Sequence, residues 1–237
     1  MILSKNKQNF LIFFIASSVV FYFHFYFINF ERTIFAFPEV ELIAIYHALL
    51  FNDGFAESYD HPGYPLFYFF SILIKLLNIL NVLEISSLSQ ALIYDLEGDE
   101  LKKIFYLLRV HNFTINILTI LIILKIFDNF EIDKFFKISA VIIFLLVPNY
   151  NFLAFINHTI SYGFFLLALS IYFLSKKNTF YKTNFILFSL FLILAVYTKI
   201  QFLPYIFIFP VLILFFKFNS LNHTKVKNIN HYKLNNF

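Results

Sequence analysis

The chain contains no cysteine, so any chemistry must use oxygen and nitrogen groups. Its carboxylates are the first candidates. A carboxylate beside a low-dielectric surface can have its pKa raised toward neutrality, and it can then act as a general base. Glu39 and Glu41 are such candidates, since both stand at the start of an apolar segment of helical character. Two hypotheses stay open for them: a general base or metal ligand, and charges that only complement a helix dipole.

A second polar cluster is Asp60-His61, which Pro, Gly, Tyr and Pro follow. Proline and glycine at this spacing predict a tight turn that leads into the next apolar segment. The turn would present Asp60 and His61 at a membrane interface, where they could bind a phosphate or a metal ion. The alternative is a turn with no further role, and one His beside one Asp is a weak metal signal. The sequence is compatible with a divalent metal but does not require one.

Three basic residues fall within apolar segments, and Arg109 is the most informative of them. Arg109 shares helical i, i+3 and i+7 spacing with Asn112 and Asn116, which places the three on one helix face. A charge inside a membrane is costly, so it marks a functional site or a buried pair by default. The alternative is a long side chain that extends to the interface. Lys75 and Lys199 carry the same two hypotheses.

The composition indicates whether these residues lie in a soluble or a membrane protein. Of the 237 residues, 60% are hydrophobic and 14% are charged, whereas about 25% are charged in an ordinary soluble domain. Several apolar runs reach the roughly 20 residues that a helix needs to cross a bilayer. The sequence therefore predicts an all-α, polytopic integral membrane helical bundle. No exposed basic stripe with interleaved aromatic residues is present, which argues against nucleic-acid binding.

The apolar segments define the predicted elements. The segment 40–51 is too short to span and ends at Asn52-Asp53-Gly54, so it predicts a surface-lying helix in the first external loop. Lys199, Gln201 and Pro204 divide the last apolar run into two. We expect a transmembrane domain over 1–216 and a polar, disordered tail over 217–237. The candidate spans are 10–30, 65–83, 104–124, 138–155, 160–174 and 185–216.

The distribution of lysine and arginine predicts the orientation, because basic loops tend to stay in the cytoplasm. With the N-terminus inside and 65–83 dipping into the membrane without crossing it, most of the basic residues lie on the cytoplasmic side. With the N-terminus outside and 65–83 crossing fully, nearly as large a share of the basic residues lies on the cytoplasmic side. Lys5 and Lys7 precede the first span and favour the first arrangement. It predicts a multi-pass protein of the cell membrane, with both acidic segments, 31–64 and 84–100, outside.

The order of these motifs resembles the membrane-embedded GT-C glycosyltransferases, in the branch of the protein O-mannosyltransferases and the lipid A aminoarabinose transferases. The likeness rests on an N-terminal span, on Glu39-Val40-Glu41 leading into a surface helix that ends in Gly54, and on the turn at 60–64. Arg109 resembles the Arg that opens the following span of that family, and Lys199 resembles a Lys that closes a later one. The similarity covers roughly residues 5 to 215.

The resemblance implies transfer of a sugar from a polyprenyl-phosphate donor to an acceptor on the external face. Glu39 would take the place of the family's acidic residue in the first loop, which deprotonates the acceptor hydroxyl. Arg109, with Lys75 or His61, would stabilise the departing lipid phosphate. The chain would be the N-terminal part of the family fold, and membrane lipid and the lipid-linked donor would be its partners.

Two departures from the family pattern leave alternatives open. The second external loop offers Asn157-His158-Thr159 where the family has an acidic residue, and the first-loop aspartate is a glutamate here. A non-catalytic or truncated relative that acts as a partner subunit is therefore the second hypothesis. A small transporter is the third, and the absence of acidic residues after Asp133 argues against a proton relay through the later spans.

Overall fold

The structure, a computed structural model, describes residues 5–27, 38–55, 63–94, 98–146, 159–176 and 182–208. These residues form helices and connecting turns and contain no strand, so the described part of the chain is all-α, as the sequence predicts. The helices are α1 (Lys5–Phe27), α2 (Pro38–Asn52), α3 (Tyr64–Ile79), α4 (Leu88–Tyr94), α5 (Asp99–Asn129), α6 (Lys134–Leu146), α7 (Thr159–Ser175) and α8 (Lys182–Thr198), followed by a short 3₁₀ turn, Ile200–Phe202.

The two longest helices, α1 and α5, pack antiparallel. At one end the Asn9 side-chain amide donates a hydrogen bond of 2.6 Å to the Asp128 carboxylate. Further along, the rings of Phe21 and Phe113 meet with 6.1 Å between their centroids. The beginning of α1 lies beside the end of α5, so the end of α1 and the beginning of α5 lie on the same side of the bundle.

An ion pair fixes α6 to the same end of the bundle. Lys137, at the start of α6, lies 2.5 Å from Asp128 and is buried. Asp128 therefore joins three helices, because it also accepts the hydrogen bond from Asn9 on α1. A buried charge needs such compensation, since desolvation of an unpaired ion costs several kcal/mol.

The helices α7 and α8 complete this part of the bundle, and α7 packs against both α5 and α8. Asn129 at the end of α5 donates a 2.9 Å hydrogen bond to Ser175 at the end of α7, so α5 and α7 run in the same direction. Ser170 near the end of α7 donates to the carbonyl of Phe188 in the first half of α8, so these two run antiparallel.

The helices α2, α3 and α4, with the described turn over 80–87, pack against the first third of α5 and are called the α2–α4 layer below. Its core contains apolar residues of α2, α3, the following turn and α5. On α2 the residues that belong to this core are Ala44, Ile45, Ala48 and Leu49, and protein covers this face of the helix. The position of α2 along a membrane surface stays a prediction.

Polar side chains lock the end of α2 onto this layer. Asn52 donates hydrogen bonds to the backbone carbonyls of Ser71 and Ser86, at 3.2 Å and 2.6 Å. Ser71 returns a hydrogen bond from its hydroxyl to the Asn52 carbonyl oxygen. The α2 C-terminus is thus joined to α3 and to the turn before α4.

The helix ends confirm two predictions from the sequence. Helix α2 ends at Asn52, and Gly54 follows with φ +85°, a left-handed conformation that glycine adopts without a Cβ clash. The last apolar run is broken after Thr198, where α8 gives way to the 3₁₀ turn. Helix α5 begins at Asp99 and ends at Asn129, so it exceeds the predicted span 104–124 at both ends.

The chain divides into two compact units, residues 1–200 and 201–237. In the second unit, residues 204–208 form a short helical turn. The predicted polar tail, 217–237, lies outside the described residues. The predicted boundary after residue 216 therefore stays a prediction.

One helix among the described residues, Asp99–Asn129, is long and apolar enough to cross a membrane. Shorter apolar stretches lie in α1, α2, α3, α7 and α8. This finding supports membrane association, although a buried core helix of a soluble protein passes the same test of length and composition. The multi-pass arrangement and its direction stay predictions.

Candidate functional site

Arg109 lies within the bundle, on the part of α5 that the α2–α4 layer covers. Its side chain is only 1% exposed and is one of the largest fully buried side chains in the described structure. An arginine that reached out to an interface would leave its guanidinium accessible. The burial therefore favours an internal role for Arg109 over extension to the surface.

A polar stripe continues from Arg109 along the same face of α5. Asn112, Asn116 and Thr119 are all buried, which agrees with the face that the i, i+3, i+7 spacing predicts. Within the helix, the Asn116 side-chain amide donates to the Asn112 carbonyl at 3.0 Å, and the Thr119 hydroxyl donates to the Ile115 carbonyl at 2.8 Å. Polar groups so buried need hydrogen bonds, because unsatisfied ones cost free energy.

His111 occupies an aromatic cage between α3 and α5. Its ring stacks on Phe69 with 4.7 Å between centroids, and it meets the edge of Phe70 at 5.5 Å. Tyr162 of α7 lies 6.1 Å from Phe69, so three helices meet here. The buried Nε2 of His111 has no hydrogen-bond partner among the described residues. We did not predict this site, because His111 lies off the face of Arg109 and only tertiary packing brings Phe69 to it.

The two glutamates predicted as catalytic stand in the first turn of α2. Pro38 opens this helix, as suits a residue without an amide hydrogen. Glu39 and Glu41 follow it, where the helix dipole favours negative charge. Their side chains lie outside what the structure describes, and so do Asp60 and His61. Their predicted roles stay predictions.

The layer brings α2 and the Arg109 segment to the same end of the bundle. Ile45 and Leu49 of α2 belong to one core with Ile104 and Leu108 of α5, and Leu108 directly precedes Arg109. The helix that carries the predicted base therefore packs beside the segment that carries the predicted phosphate-binding arginine. Helices α2 and α5 are thus in contact although they lie far apart in the sequence.

The two predicted lysines differ from Arg109 in their surroundings. Lys75 is exposed on α3, and Lys199 is partly exposed directly after α8. Neither is enclosed by protein as Arg109 is. The structure thus separates Arg109 from the lysines that carried the same pair of hypotheses in the sequence.

Two carboxylates, one from each of the two acidic segments, have structural partners. Asp53 accepts hydrogen bonds from the Ser89 amide at 2.9 Å and from the Ser89 hydroxyl at 2.6 Å, so it joins the end of α2 to the start of α4. Glu100 is buried, accepts a 2.9 Å hydrogen bond from the Glu84 amide and pairs with Lys103. We infer that these two carboxylates hold the layer together.

Within the described residues, no group of three or more His, Asp or Glu side chains could hold a metal ion. The side chains of the predicted ligands Glu39, Glu41, Asp60 and His61 lie outside what the structure describes. The metal requirement stays open.

Comparisons with known proteins complete the description of the site. A scan against protein-family models, a search of curated proteins and a search of solved structures found no match to this chain. The likeness to the GT-C glycosyltransferases therefore rests on the quoted motifs, and what it implies stays a hypothesis.

Proposed function

We propose that this protein is an integral-membrane glycosyltransferase that transfers a sugar from a polyprenyl-phosphate-linked donor to an acceptor on the extracytoplasmic face. The observation that carries the proposal is the enclosure of Arg109 beside the layer that contains α2. A buried cation in an apolar helix is costly and is retained where it meets an anion. In the proposed reaction, the phosphate of a lipid-linked donor is an anion that Arg109 binds.

The proposed reaction assigns a role to each end of the donor's glycosidic bond. The acceptor hydroxyl attacks the anomeric carbon while Glu39, or Glu41, takes the hydroxyl proton as general base. The bond between the anomeric carbon and the phosphate oxygen breaks, and the negative charge that develops on the phosphate is stabilised by Arg109. Asp60, His61, Lys75 and Lys199 are proposed to bind the substrates.

The packing of α1 against α5 supports the proposed topology. If α1 and α5 both span the membrane, their antiparallel packing requires an even number of crossings between them, or none, which favours an α3 that does not cross alone. Helix α3 has 16 residues, or about 24 Å, which is less than the roughly 30 Å of a hydrocarbon core. Lys5, Lys7 and Lys125 mark the cytoplasmic ends of α1 and α5. We therefore propose that the α2–α4 layer lies outside and the N-terminus inside.

The test is sugar transfer by the purified full chain in lipid nanodiscs, with a panel of polyprenyl-phosphate sugars as donors. We expect Glu39→Gln to lower kcat at least about a hundredfold, as loss of a general base does. Arg109→Gln should lower transfer on the order of a hundredfold through lost stabilisation of the leaving phosphate. Transfer that both variants leave unchanged would contradict the proposal.

Two matched variants serve as controls, because each makes the same chemical change on an exposed surface. Glu131→Gln removes a carboxylate at the other end of α5, and Lys125→Gln removes a cation from the same helix as Arg109. Both should retain the wild-type rate. General loss of activity in all four variants would point to damage to the fold.

The second candidate is a non-catalytic partner subunit, which the second external loop favours because Asn157-His158-Thr159 contains no acidic residue. In that case the intact, folded chain alone would turn over none of the donors. Transfer that appears only when a second membrane protein is added, and that survives Glu39→Gln, would support this candidate.

A further inference from the structure

An open groove runs between α1 and α5, with a volume of about 290 Å³. Small-molecule sites usually have roughly 300–1,000 Å³, so this groove is at the lower limit of that range. It is better suited to side chains of a neighbouring helix, and all of its lining residues are uncharged. They are Phe10, Phe13, Phe14, Ser17, Ser18, Phe21, Phe113 and Ile117.

The α1 wall of the groove has the residue spacing of a contact between two helices. Phe10, Phe14, Ser17 and Phe21 follow one another at alternating intervals of four and three residues. This is the a and d spacing that keeps one stripe of a helix against a partner helix. We call these four residues the α1 stripe. Its three phenylalanines are each more than half exposed, whereas Ala16, on another face of α1, is buried against α5 and α6.

A hydroxyl in this stripe has no hydrogen-bond partner. Ser17 stands near the middle of the 23-residue helix α1, and its Oγ atom is buried without a partner among the described residues. In the proposed topology this depth is the hydrocarbon region, where water cannot satisfy a hydroxyl. Serine side chains at such depths hydrogen-bond to polar groups of neighbouring helices. Ser17 therefore indicates a partner helix with a polar group at the same depth.

A second copy of this chain supplies that group. Two copies inserted in the same direction are related by a twofold axis, so their α1 helices run parallel and equivalent residues meet at equal depth. Ser17 then lies opposite its own counterpart, and each hydroxyl can both donate and accept a hydrogen bond. The space beside Ser17 and Ser18 receives the phenylalanines of the other copy. No charged residue lies between Phe10 and Phe21, so no like charges meet within the stripe.

We propose that the groove is the docking site of a second copy of this chain, with the two α1 stripes packed in parallel. Phe113 and Ile117 of each copy would then contact α1 of the other copy, because they form the α5 wall of the groove. The proposal uses the membrane location of α1 but no part of the proposed sugar transfer. A dimer that transfers no sugar would support this inference and contradict only the proposed function.

The first test is disulfide cross-linking of single-cysteine variants of the full chain in membranes, since the native chain has no cysteine. We expect Ser17→Cys and Phe14→Cys to form cross-linked dimers under mild oxidation, because a parallel stripe brings equivalent Cα atoms near the roughly 4.4–6.8 Å that a disulfide spans. The matched control is Ile15→Cys, which is exposed on another face of α1 and does not line the groove.

Ile15→Cys should stay monomeric under the same oxidation. Equal cross-linking of Ile15→Cys and Ser17→Cys, or none in any variant, would overturn the inference. Cross-linking of Ser17→Cys only to a different membrane protein would also overturn it, since the occupant would then not be a second copy.

The second test measures dimerisation of the purified full chain in liposomes by single-molecule photobleaching. Ser18 is exposed, so Ser18→Phe fills the groove without a change to the packing of α1 on α5. We expect it to weaken dimerisation about tenfold, as overpacking of a well-packed contact does. Ser17→Ala loses only the hydroxyl and should weaken the dimer about threefold, which corresponds to an interhelical hydrogen bond of roughly 0.6 kcal/mol.

The matched control for Ser18→Phe is Ile15→Phe, which adds the same ring on the other face of α1. It should dimerise as the wild type does. A wild-type chain that is monomeric at every protein-to-lipid ratio would overturn the inference. Equal dimerisation of Ser18→Phe and Ile15→Phe would overturn it as well, because the groove would then make no contribution.

Discussion

Asp53 and His111 show how the fold treats two polar side chains differently. Asp53 lies at a helix end and is surrounded by donors, because Ser89 binds it with both its amide and its hydroxyl. His111 is enclosed by aromatic rings, and its Nε2 has no hydrogen-bond partner among the described residues. The first stabilises the fold through its charge, whereas the second costs free energy through its buried nitrogen.

The Asp53 carboxylate makes stability depend on pH. Burial alone would raise the pKa of this carboxyl, but hydrogen bonds from Ser89, Ser87 and Leu88 lower it below its ordinary value of 3.8. A lowered folded-state pKa gives stability above the unfolded-state value, and this stability is lost as the pH falls through the folded-state pKa. We expect Asp53→Asn to be less stable than wild type near neutral pH, with a difference that shrinks below about pH 4.

Thermal unfolding in detergent across this pH range measures the Asp53 contribution. Asp99→Asn is the comparison variant: Lys102 also lowers the pKa of this exposed carboxyl, so the variant shows the pH dependence that a surface pair within one helix gives. A difference between Asp53→Asn and wild type that stayed constant with pH would show that the carboxylate charge contributes nothing.

Replacement of His111 by phenylalanine should stabilise the protein. The ring would keep its stacking on Phe69, and the buried nitrogen without a partner would be removed. We expect a gain of about 1 kcal/mol in the free energy of unfolding. His111→Gln, which keeps a polar group but loses the ring, should destabilise in the same assay. A loss of stability in His111→Phe would mean that the imidazole nitrogens have a structural partner.

At the scale of the elements, the helix ends follow local rules that can be tested directly. Both α3 and α5 are terminated by a residue with positive φ that is not glycine, namely Asn81 and Glu131, each at +56°. In each case the following amide bonds back to the last helical turn, as Val82 does to Leu77 and Ile132 to Phe127. Asparagine tolerates this conformation, whereas glutamate is strained in it.

Glycine at position 131 should therefore stabilise the end of α5. We expect Glu131→Gly to be more stable than Glu131→Ala by about 1 kcal/mol, because both remove the side chain but only glycine adopts positive φ freely. Asn81→Gly should likewise be more stable than Asn81→Ala, since alanine is strained at either position. Equal stability of the two Glu131 variants by thermal unfolding would contradict the left-handed end of α5.

Helix α4 was not predicted, although its first turn contains a local signal. Ser87 and Gln90 have the spacing of a capping box, in which a serine caps the helix and a glutamine reaches back. The Ser87 hydroxyl oxygen accepts a 3.3 Å hydrogen bond from the backbone amide of Gln90. The side-chain oxygen of Gln90 accepts a 2.8 Å hydrogen bond from the backbone amide of Ser86. Its short length and acidic neighbours make this seven-residue helix hard to recognise from composition.

At the scale of the whole molecule, the antiparallel packing of α1 and α5 determines where the layer with α2 lies. If α5 spans the membrane, its two ends lie on opposite sides, about 46 Å apart for its 31 residues. Asp99 and Asp133 mark these two ends and are both exposed. They offer a matched pair for measuring orientation.

We expect Asp99→Cys to react with a membrane-impermeant maleimide on intact cells and Asp133→Cys to react only after the cells are opened. The native chain has no cysteine, so each variant carries a single thiol. The opposite pattern would place the layer with α2 in the cytoplasm and contradict the proposed reaction face. Labelling of both thiols on intact cells would contradict the span itself.

The sequence alone determined the features that depend on residues close together in the chain, namely helices, helix ends and helix faces. Apolar runs indicated helices, Gly54 marked the end of α2, Lys199 marked the break after α8, and the spacing of Arg109, Asn112 and Asn116 put them on one face. These features follow from backbone geometry and side-chain periodicity over a few turns. The membrane class follows from composition in the same way, and the described structure supports it in part.

Only the tertiary structure decided which of these residues are enclosed. It buried Arg109 and left Lys75 exposed, although both lie in apolar segments. It joined Asn9 to Asp128 across 119 positions of sequence and so determined the relative direction of α1 and α5. It also used Asp53 as a partner for α4. The physical reason is that burial and pairing depend on contacts between distant segments, which periodicity within one helix does not encode.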